Sequence, residues 1–155
     1  GMPALGDNPL FLGCADYRST IASNGESSGF TFPEEMRRHA DKGTALVTDK
    51  DPGDAEIAEV VSQAAAHSCI VLGTYNGHIL QGQLRLAKAL AATGLPMILV
   101  ALRNPYDLRN MPNHVAALAG WEYTRPLFDA LWPVLNGTVR PTGKLPLLTL
   151  TKAAK

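Results

Sequence analysis

Cys69-Ile70-Val71-Leu72-Gly73 is an unbroken apolar run, and the polar residues Thr74-Tyr75-Asn76-Gly77-His78 follow it directly. A run this short, with no alternation of polar residues, is typical of a strand that is covered on both faces of a sheet. Met97–Leu102 has the same character and leads into Arg103-Asn104-Pro105-Tyr106-Asp107. Both stretches therefore predict central strands of a parallel sheet, each followed by a polar loop.

Further apolar runs at Pro9–Gly13, Thr44–Thr48 and Val115–Ala119 extend this pattern. Most of the stretches between the runs have helical spacing of apolar residues, and this alternation predicts βαβ units. The predicted fold is α/β, a three-layer, doubly wound, mainly parallel sheet of the flavodoxin-like sandwich type. Because Pro146 cannot donate to a β-ladder, Leu145–Leu150 is expected to form a C-terminal edge strand.

The clearest helix begins at Asp51-Pro52-Gly53-Asp54, where Asp51 can cap the first turn and Pro52 suits the first helical position. Its predicted apolar stripe contains Ile57, Val60, Val61, Ala64 and Ala65. The other predicted helices cover Pro33–Ala40, Gln81–Thr93 and Pro126–Asn136. Pro133 lies inside the last of these, where a proline costs about 3 kcal/mol or kinks the helix.

Composition restricts the function classes that remain open. The 155 residues carry 14 Lys and Arg against 14 Asp and Glu, and 46% of them are hydrophobic. This balance indicates one globular domain, and it lacks the basic excess of a duplex nucleic-acid binder. No apolar run approaches the roughly 20 residues that a membrane span needs, and no signal-peptide pattern is present. Residues 1–8 are interpreted as a tag remnant and leader, 9–150 as the domain and 151–155 as a tail; the localisation of the protein stays open.

Aromatic and polar residues collect in the loops that follow the predicted strands. All four tyrosines lie there, together with Trp121, and such loops meet ligands and partners in doubly wound sheets. Tyr, Arg and Asn are common at recognition surfaces. The candidate substrate- or partner-binding residues are Tyr75, Asn76, His78, Arg103, Asn104, Tyr106, Asp107 and Tyr123. The alternative is that each tyrosine packs over a strand end and hydrogen-bonds its own loop.

Known catalytic and cofactor motifs are missing from the sequence. No phosphate-binding glycine loop, Gly-x-Ser-x-Gly elbow or Cys-x-x-Cys pair occurs, and no metal or cofactor is predicted. The four histidines show no ligand spacing, and His39 and His67 are expected at the surface. Cys69 is expected in the core, whereas Cys14 is a candidate for an exposed strand end.

Two catalytic arrangements remain conceivable. Cys14 and His78 can form a nucleophilic pair across adjacent strands, although no oxyanion hole is recognisable. Asp16, Asp107 and Glu122 can supply paired carboxylates for glycoside hydrolysis. Charged loop residues are more often solvated or locally salt-bridged, and that interpretation is preferred.

The two loop motifs 74–78 and 100–108 resemble the C-terminal α/β-sandwich domain of glycoside hydrolase family 3. The similarity is strongest to the bacterial β-N-acetylhexosaminidase branch, whose members act on peptidoglycan fragments and related sugars. Gly82-Gln83 and Pro141-Thr142-Gly143-Lys144-Leu145-Pro146 also fit the family pattern. The four motifs occur in the family order and extend the resemblance over about Pro9 to Leu150.

The resemblance implies that this chain is an accessory domain. In the family, an N-terminal (β/α)₈ barrel supplies the nucleophilic aspartate and, in this branch, an Asp/His acid–base dyad. The barrel's Lys-His-Phe-Pro-Gly-His-type motif does not occur in these residues, so no residue inherits a catalytic role. In other branches this domain contributes a glutamate, but no motif assigns that role to Glu26 or Glu122. The resemblance thus implies a barrel partner, an N-acetylhexosamine-containing sugar and no activity of the isolated chain.

Two other functions stay open at this point. The chain can be a stand-alone carbohydrate-binding or interaction module, and Met2 as a native start would agree with that. Such a module would use the residues Tyr75, Asn76, His78, Arg103, Tyr106 and Tyr123. The third possibility is an unrecognised enzyme of flavodoxin-like fold that uses Cys14.

Overall fold

The computed structural model of the chain describes residues 1–17, 28–109 and 111–144. Five strands within these residues form one sheet: β1 (Pro9–Cys14), β2 (Thr44–Thr48), β3 (Cys69–Thr74), β4 (Met97–Ala101) and β5 (Ala116–Ala119). Their order across the sheet is β2-β1-β3-β4-β5, and all neighbouring strands are parallel. The predicted edge strand Leu145–Leu150 lies outside the described residues.

Helices cover both faces of the sheet. They are α1 (Phe32–Ala40), α2 (Asp54–Ala64), α3 (Gly82–Ala92) and α4 (Arg125–Leu135), and a 3₁₀ turn spans Pro105–Leu108. One hydrophobic core joins α2 and α3 to the sheet, and a second core joins α1 and α4 to the opposite face. The predicted three-layer, doubly wound α/β fold is confirmed.

The central strands are continuously apolar, and this favours their burial in the middle of the sheet. Every residue of β1, β3 and β4 is buried, and successive side chains alternate between the two cores. The edge strand β2 is partly exposed, and 43% of Val47 is accessible. Unbroken apolar runs therefore correspond to the strands that are covered on both sides.

The predicted start of α2 is wrong. The helix begins at Asp54 after Gly53, which makes no side-chain cap. The Asp51 carboxylate does not cap this helix because its Oδ1 accepts a hydrogen bond from the Gly82 amide at 2.8 Å. Ala65 follows the end of the helix and is exposed, so it does not belong to the apolar stripe.

The other helices have identifiable end signals. Thr31 Oγ1 caps the start of α1 by accepting from the Glu34 amide, and it donates to the Glu34 carboxylate at 2.6 Å. Thr124 caps α4 in the same manner through the Leu127 amide. Helix α4 continues through Pro133 to Leu135 because the apolar stripe with Phe128, Leu131 and Leu135 is buried on the sheet.

Candidate functional site

The carboxyl edge of the sheet carries the candidate residues, and its centre is filled by the chain's own aromatic rings. Folds with this strand order place ligands between β1 and β3, where the order of the strands reverses. Here the Tyr17 ring packs edge-on against the Tyr75 ring, with centroids 5.2 Å apart. Tyr75 packs in turn against Tyr123 at 5.4 Å. In the described residues, the usual ligand crevice is therefore occupied by tyrosine side chains.

Tyr123 joins two elements at this edge. Its hydroxyl accepts a hydrogen bond from the Phe32 amide at 2.7 Å and donates one to the Cys14 carbonyl at 3.0 Å. Burial raises the pKa of Tyr123 well above its ordinary value, which keeps the phenol protonated. Tyr123 thus ties the start of α1 to the end of β1.

Gln83 fixes the backbone of the loop that follows β3. Its Oε1 accepts from the Tyr75 amide at 2.8 Å, and its Nε2 donates to the Tyr75 carbonyl at 2.9 Å. Nε2 also donates to the Lys50 carbonyl at 2.8 Å, in the loop that follows β2. The Gly82-Gln83 pair therefore connects the loop after β2 with the loop after β3.

Asp107 holds the same loop from the other side. It is fully buried, and its Oδ2 accepts from the Gly77 amide at 2.9 Å. Its Oδ1 accepts from the His78 amide at 2.7 Å and contacts His78 Nδ1 at 3.2 Å. Charged loop residues were expected to be solvated or locally salt-bridged, and Asp107 is locally paired with His78 while fully buried. An acceptor is needed here because the Gly77 amide is buried, and a buried amide without a partner costs free energy.

The predicted site residues divide into a buried set and an accessible set. Tyr75, Asn76, Asp107 and Tyr123 are buried, and they support the loops. Asn76 adopts a left-handed backbone conformation with φ 55°, which turns the chain after β3. The residues that reach the surface are His78, Arg103, Asn104 and Tyr106.

The accessible residues are fixed by local contacts. Arg103 Nη1 donates to the Tyr75 hydroxyl at 2.7 Å, and Asn104 Oδ1 caps the 3₁₀ turn by accepting from the Tyr106 amide at 3.0 Å. The Arg109 guanidinium stacks 4.6 Å from the centre of the Tyr106 ring. These contacts hold planar cations and aromatic groups at the carboxyl edge.

A groove of about 420 Å³ opens beside this edge. It is lined by His78, Gln81, Leu84, Lys88, Tyr106 and Arg109. Of these residues, His78 and Tyr106 were predicted from the sequence, whereas the two cations Lys88 and Arg109 were not. The available signal was the spacing of Gln81, Leu84 and Lys88, which places them on one face of a helix.

The Cys14–His78 pair does not have the features of a nucleophilic site. Cys14 is buried and not exposed as expected, because it lies in the same hydrophobic core as Tyr75 and Tyr123. Burial raises the pKa of the Cys14 thiol to about 12. The reactive thiolate is therefore scarce at neutral pH, and His78 directs Nδ1 to Asp107.

Both cysteines are expected to be inert towards thiol reagents in the folded chain. Burial raises the pKa of Cys69 to about 11 as well as that of Cys14 to about 12. At pH 8, neither cysteine should react rapidly with a disulfide reagent until urea unfolds the protein. Rapid labelling of Cys14 in the native protein would contradict this prediction.

The other carboxylates considered for catalysis are not assembled as a pair. Asp16 accepts hydrogen bonds from the Ser28 amide and hydroxyl, and Asp107 is tied to the loop after β3. Glu122 is exposed.

Trp121 is exposed in an unfavourable backbone conformation. It follows β5 with φ 70°, and 53% of the residue is accessible. A bulky residue rarely adopts positive φ, and strained residues of this kind concentrate at functional sites. Trp121 is therefore a further candidate at the carboxyl edge.

Relief of this strain is expected to be measurable. Trp121→Gly should exceed Trp121→Ala in free energy of unfolding by about 1 kcal/mol, because only glycine adopts positive φ without steric cost. Both variants remove the indole, so their difference isolates the backbone effect. Urea denaturation of the two proteins measures it, and equal midpoints with equal slopes would contradict the assigned strain.

Histidines and acidic residues form no metal-binding group in the described part of the chain. No set of three or more His, Cys, Asp or Glu side chains converges among residues 1–17, 28–109 and 111–144. His39 and His67 are partly accessible, and His39 pairs with Asp129 at 2.9 Å. Within these same ranges, every helix is too short or too polar to cross a membrane.

Two solved structures support the resemblance to glycoside hydrolase family 3. No protein-family model matches the sequence, and no curated protein is significantly similar to it. A glycoside hydrolase family 3 β-N-acetylglucosaminidase from Paenibacillus sp. str. FPU-7 matches 98% of the chain with a TM-score of 0.79 and 25% identity. The chain spans 30% of that enzyme's length. A fungal multi-domain β-N-acetylglucosaminidase of family 3, with a GCN5-related glucosamine N-acetyltransferase region, has the same fold at 18% identity. It matches 93% of this chain and 16% of its own, with a TM-score of 0.69. Over nearly its whole length, the chain thus resembles the C-terminal α/β-sandwich domain of glycoside hydrolase family 3, as its motifs indicate.

Proposed function

We propose that this chain is the accessory C-terminal domain of a family 3 glycoside hydrolase, namely a β-N-acetylhexosaminidase. In this proposal the domain packs on a catalytic (β/α)₈ barrel, supports or completes its sugar site, and is inactive alone. The observation that carries the proposal is the match of nearly the whole chain to 30% of the Paenibacillus β-N-acetylglucosaminidase. The rest of such an enzyme is long enough to hold a separate catalytic domain.

The surface of the carboxyl edge supports a docking role. Five large hydrophobic residues are exposed in the described part of the chain, and three of them lie in loops at this edge. These three are Ile79 with 63% accessible, Trp121 with 53% and Tyr106 with 40%. Exposed apolar groups that cluster on one side of a domain are typical of an interaction surface.

The chemistry of the edge supports dependence on a partner. Its buried carboxylate, Asp107, is used to hold the loop after β3, and its buried thiol is protonated. The accessible Arg103, Asn104 and Tyr106 suit the hydroxyls and apolar faces of sugars, but they provide no nucleophile. In this proposal the barrel carries out the reaction, and this domain contacts the substrate or supports the barrel.

A charge placed on the proposed docking surface tests this function. Ile79→Asp should weaken association with the barrel encoded in the same reading frame by about tenfold or more, because an apolar contact is replaced by a desolvated carboxylate. Val139→Asp is the matched control, since Val139 is 49% accessible and lies beyond the end of α4, away from the carboxyl-edge loops. Calorimetric titration of the barrel with each variant measures the effect. Equal affinities of the two variants would contradict docking through this edge.

A further inference from the structure

The groove beside the carboxyl edge is lined by positive charge, although the chain as a whole is neutral. The whole sequence is formally neutral, yet the groove is lined by Lys88 and Arg109 and by no carboxylate. Asp107, which contacts the groove residue His78, is fully buried, and both of its oxygens accept hydrogen bonds from the loop. An anion that enters the groove therefore meets two cations and no accessible acidic group.

His78 is held so that one ring nitrogen is left for a ligand. Both Asp107 oxygens accept from backbone amides as carboxylate oxygens do, so His78 Nδ1 donates its hydrogen to Oδ1 at 3.2 Å. This contact orients the ring and leaves Nε2 on its opposite edge. Nε2 has no hydrogen-bond partner among the described residues, and 29% of the side chain is accessible. It can accept a hydrogen bond from a ligand hydroxyl in the neutral ring.

The walls of the groove also suit a body with apolar and polar faces. Arg109 stacks on one side of the Tyr106 ring at 4.6 Å, which fixes the guanidinium in place. Leu84 provides an aliphatic wall, and Gln81 stands at the rim with its amide nitrogen donated to the His78 carbonyl at 2.6 Å. The volume of about 420 Å³ is in the range of small-molecule sites.

We propose that this groove binds an anionic monosaccharide, whose carboxylate or phosphate contacts Lys88 and Arg109 while a hydroxyl contacts His78 Nε2. The site belongs to this chain alone and does not require the barrel. A failure of sugar-anion binding would therefore leave the proposed accessory role standing, and a failure of barrel association would leave this site standing.

Paired ligands that differ only in charge test the proposal on the full chain. Glucuronate and glucose 6-phosphate, each compared with glucose, should shift the backbone amide resonances of His78, Lys88 and Arg109. The charged sugars should bind about tenfold or more tightly than glucose, since each forms a charge-assisted hydrogen bond. The two charged sugars distinguish a carboxylate ligand from a phosphate ligand.

Single charge removals locate the site. Lys88→Gln and Arg109→Gln should each weaken binding of the preferred charged sugar by about tenfold. Lys42→Gln removes the same charge near the amino edge of the sheet and should leave the affinity unchanged. Both lysines are exposed, so the comparison does not depend on a change in folding.

Several outcomes would overturn the proposal. Equal binding of glucose and glucuronate would show that the cations are not used, and equal binding of inorganic phosphate would show that the sugar body is not recognised. An equal effect of Lys42→Gln and Lys88→Gln would indicate diffuse electrostatic attraction. The absence of shifts around the groove with all ligands would exclude the site.

Discussion

Asp107→Ala is expected to lower the free energy of unfolding by about 3–5 kcal/mol, because it removes the acceptor of three hydrogen-bond donors inside the protein. The Gly77 and His78 amides would lose their partner, and so would His78 Nδ1. A Cβ on Gly77 would lie 3.2 Å from Asp107 Oδ2, so the loop and the carboxylate are in close contact. The loop after β3 has no other described acceptor for these two amides.

Two comparison variants define this effect. Asp107→Asn keeps one carbonyl oxygen as an acceptor and should lose less stability than Asp107→Ala. Asp129→Ala removes a carboxylate that is 61% accessible and pairs with His39, so its cost should stay below about 1 kcal/mol. Urea denaturation of the three variants measures the order. A loss for Asp107→Ala as small as that for Asp129→Ala would contradict the structural role of Asp107.

Gly82→Ala is expected to destabilise the protein by about 2–3 kcal/mol through steric overlap with the loop after β2. A Cβ at this position would lie 2.5 Å from the Pro52 carbonyl oxygen and 2.5 Å from Asp51 Oδ1. The backbone oxygen cannot move without displacing the start of α2. The better helix propensity of alanine contributes at most about 1 kcal/mol in the other direction, so the overlap decides the sign.

The matched control for this prediction is Gly143→Ala. A Cβ on Gly143 would meet no atom within 4 Å, and its change in stability should remain within about 0.5 kcal/mol. Thermal denaturation compares both variants with the unaltered chain. A Gly82→Ala protein as stable as the Gly143→Ala protein would show that the two strand-end loops are not in the predicted contact.

The strands were predictable because burial on both faces leaves a direct mark on the sequence. The starts of β3 at Cys69 and β4 at Met97 were both predicted, and every residue of these strands is buried. The strands that lead to Cys14 and His78 were expected to be adjacent, and β1 does pair with β3. The places of the other strands were not predicted, because an apolar run does not identify its neighbours. The start of α2 was wrong since a capping side chain such as Asp51 can instead bind a distant amide, here that of Gly82.

The candidate site was predictable in its place but not in its contacts. Strand-end positions followed from the alternation of elements, and the loops do meet at one edge of the sheet. Sequence alone could not show that Asp107 turns inward, because its donors lie about thirty residues earlier in the chain. Nor could it show that Arg109 and Lys88 share a groove with His78. Such contacts depend on the packing of α3 against the loop after β4.

In the role proposed above, this domain contributes to hydrolysis only together with a catalytic barrel. The most direct test is hydrolysis of 4-nitrophenyl N-acetyl-β-D-glucosaminide by the purified chain alone, by the barrel encoded in the same reading frame, and by their equimolar mixture. We expect no turnover by the chain alone, and faster turnover by the mixture than by the barrel. Robust turnover by the 155-residue chain alone would show that the domain does not need a barrel.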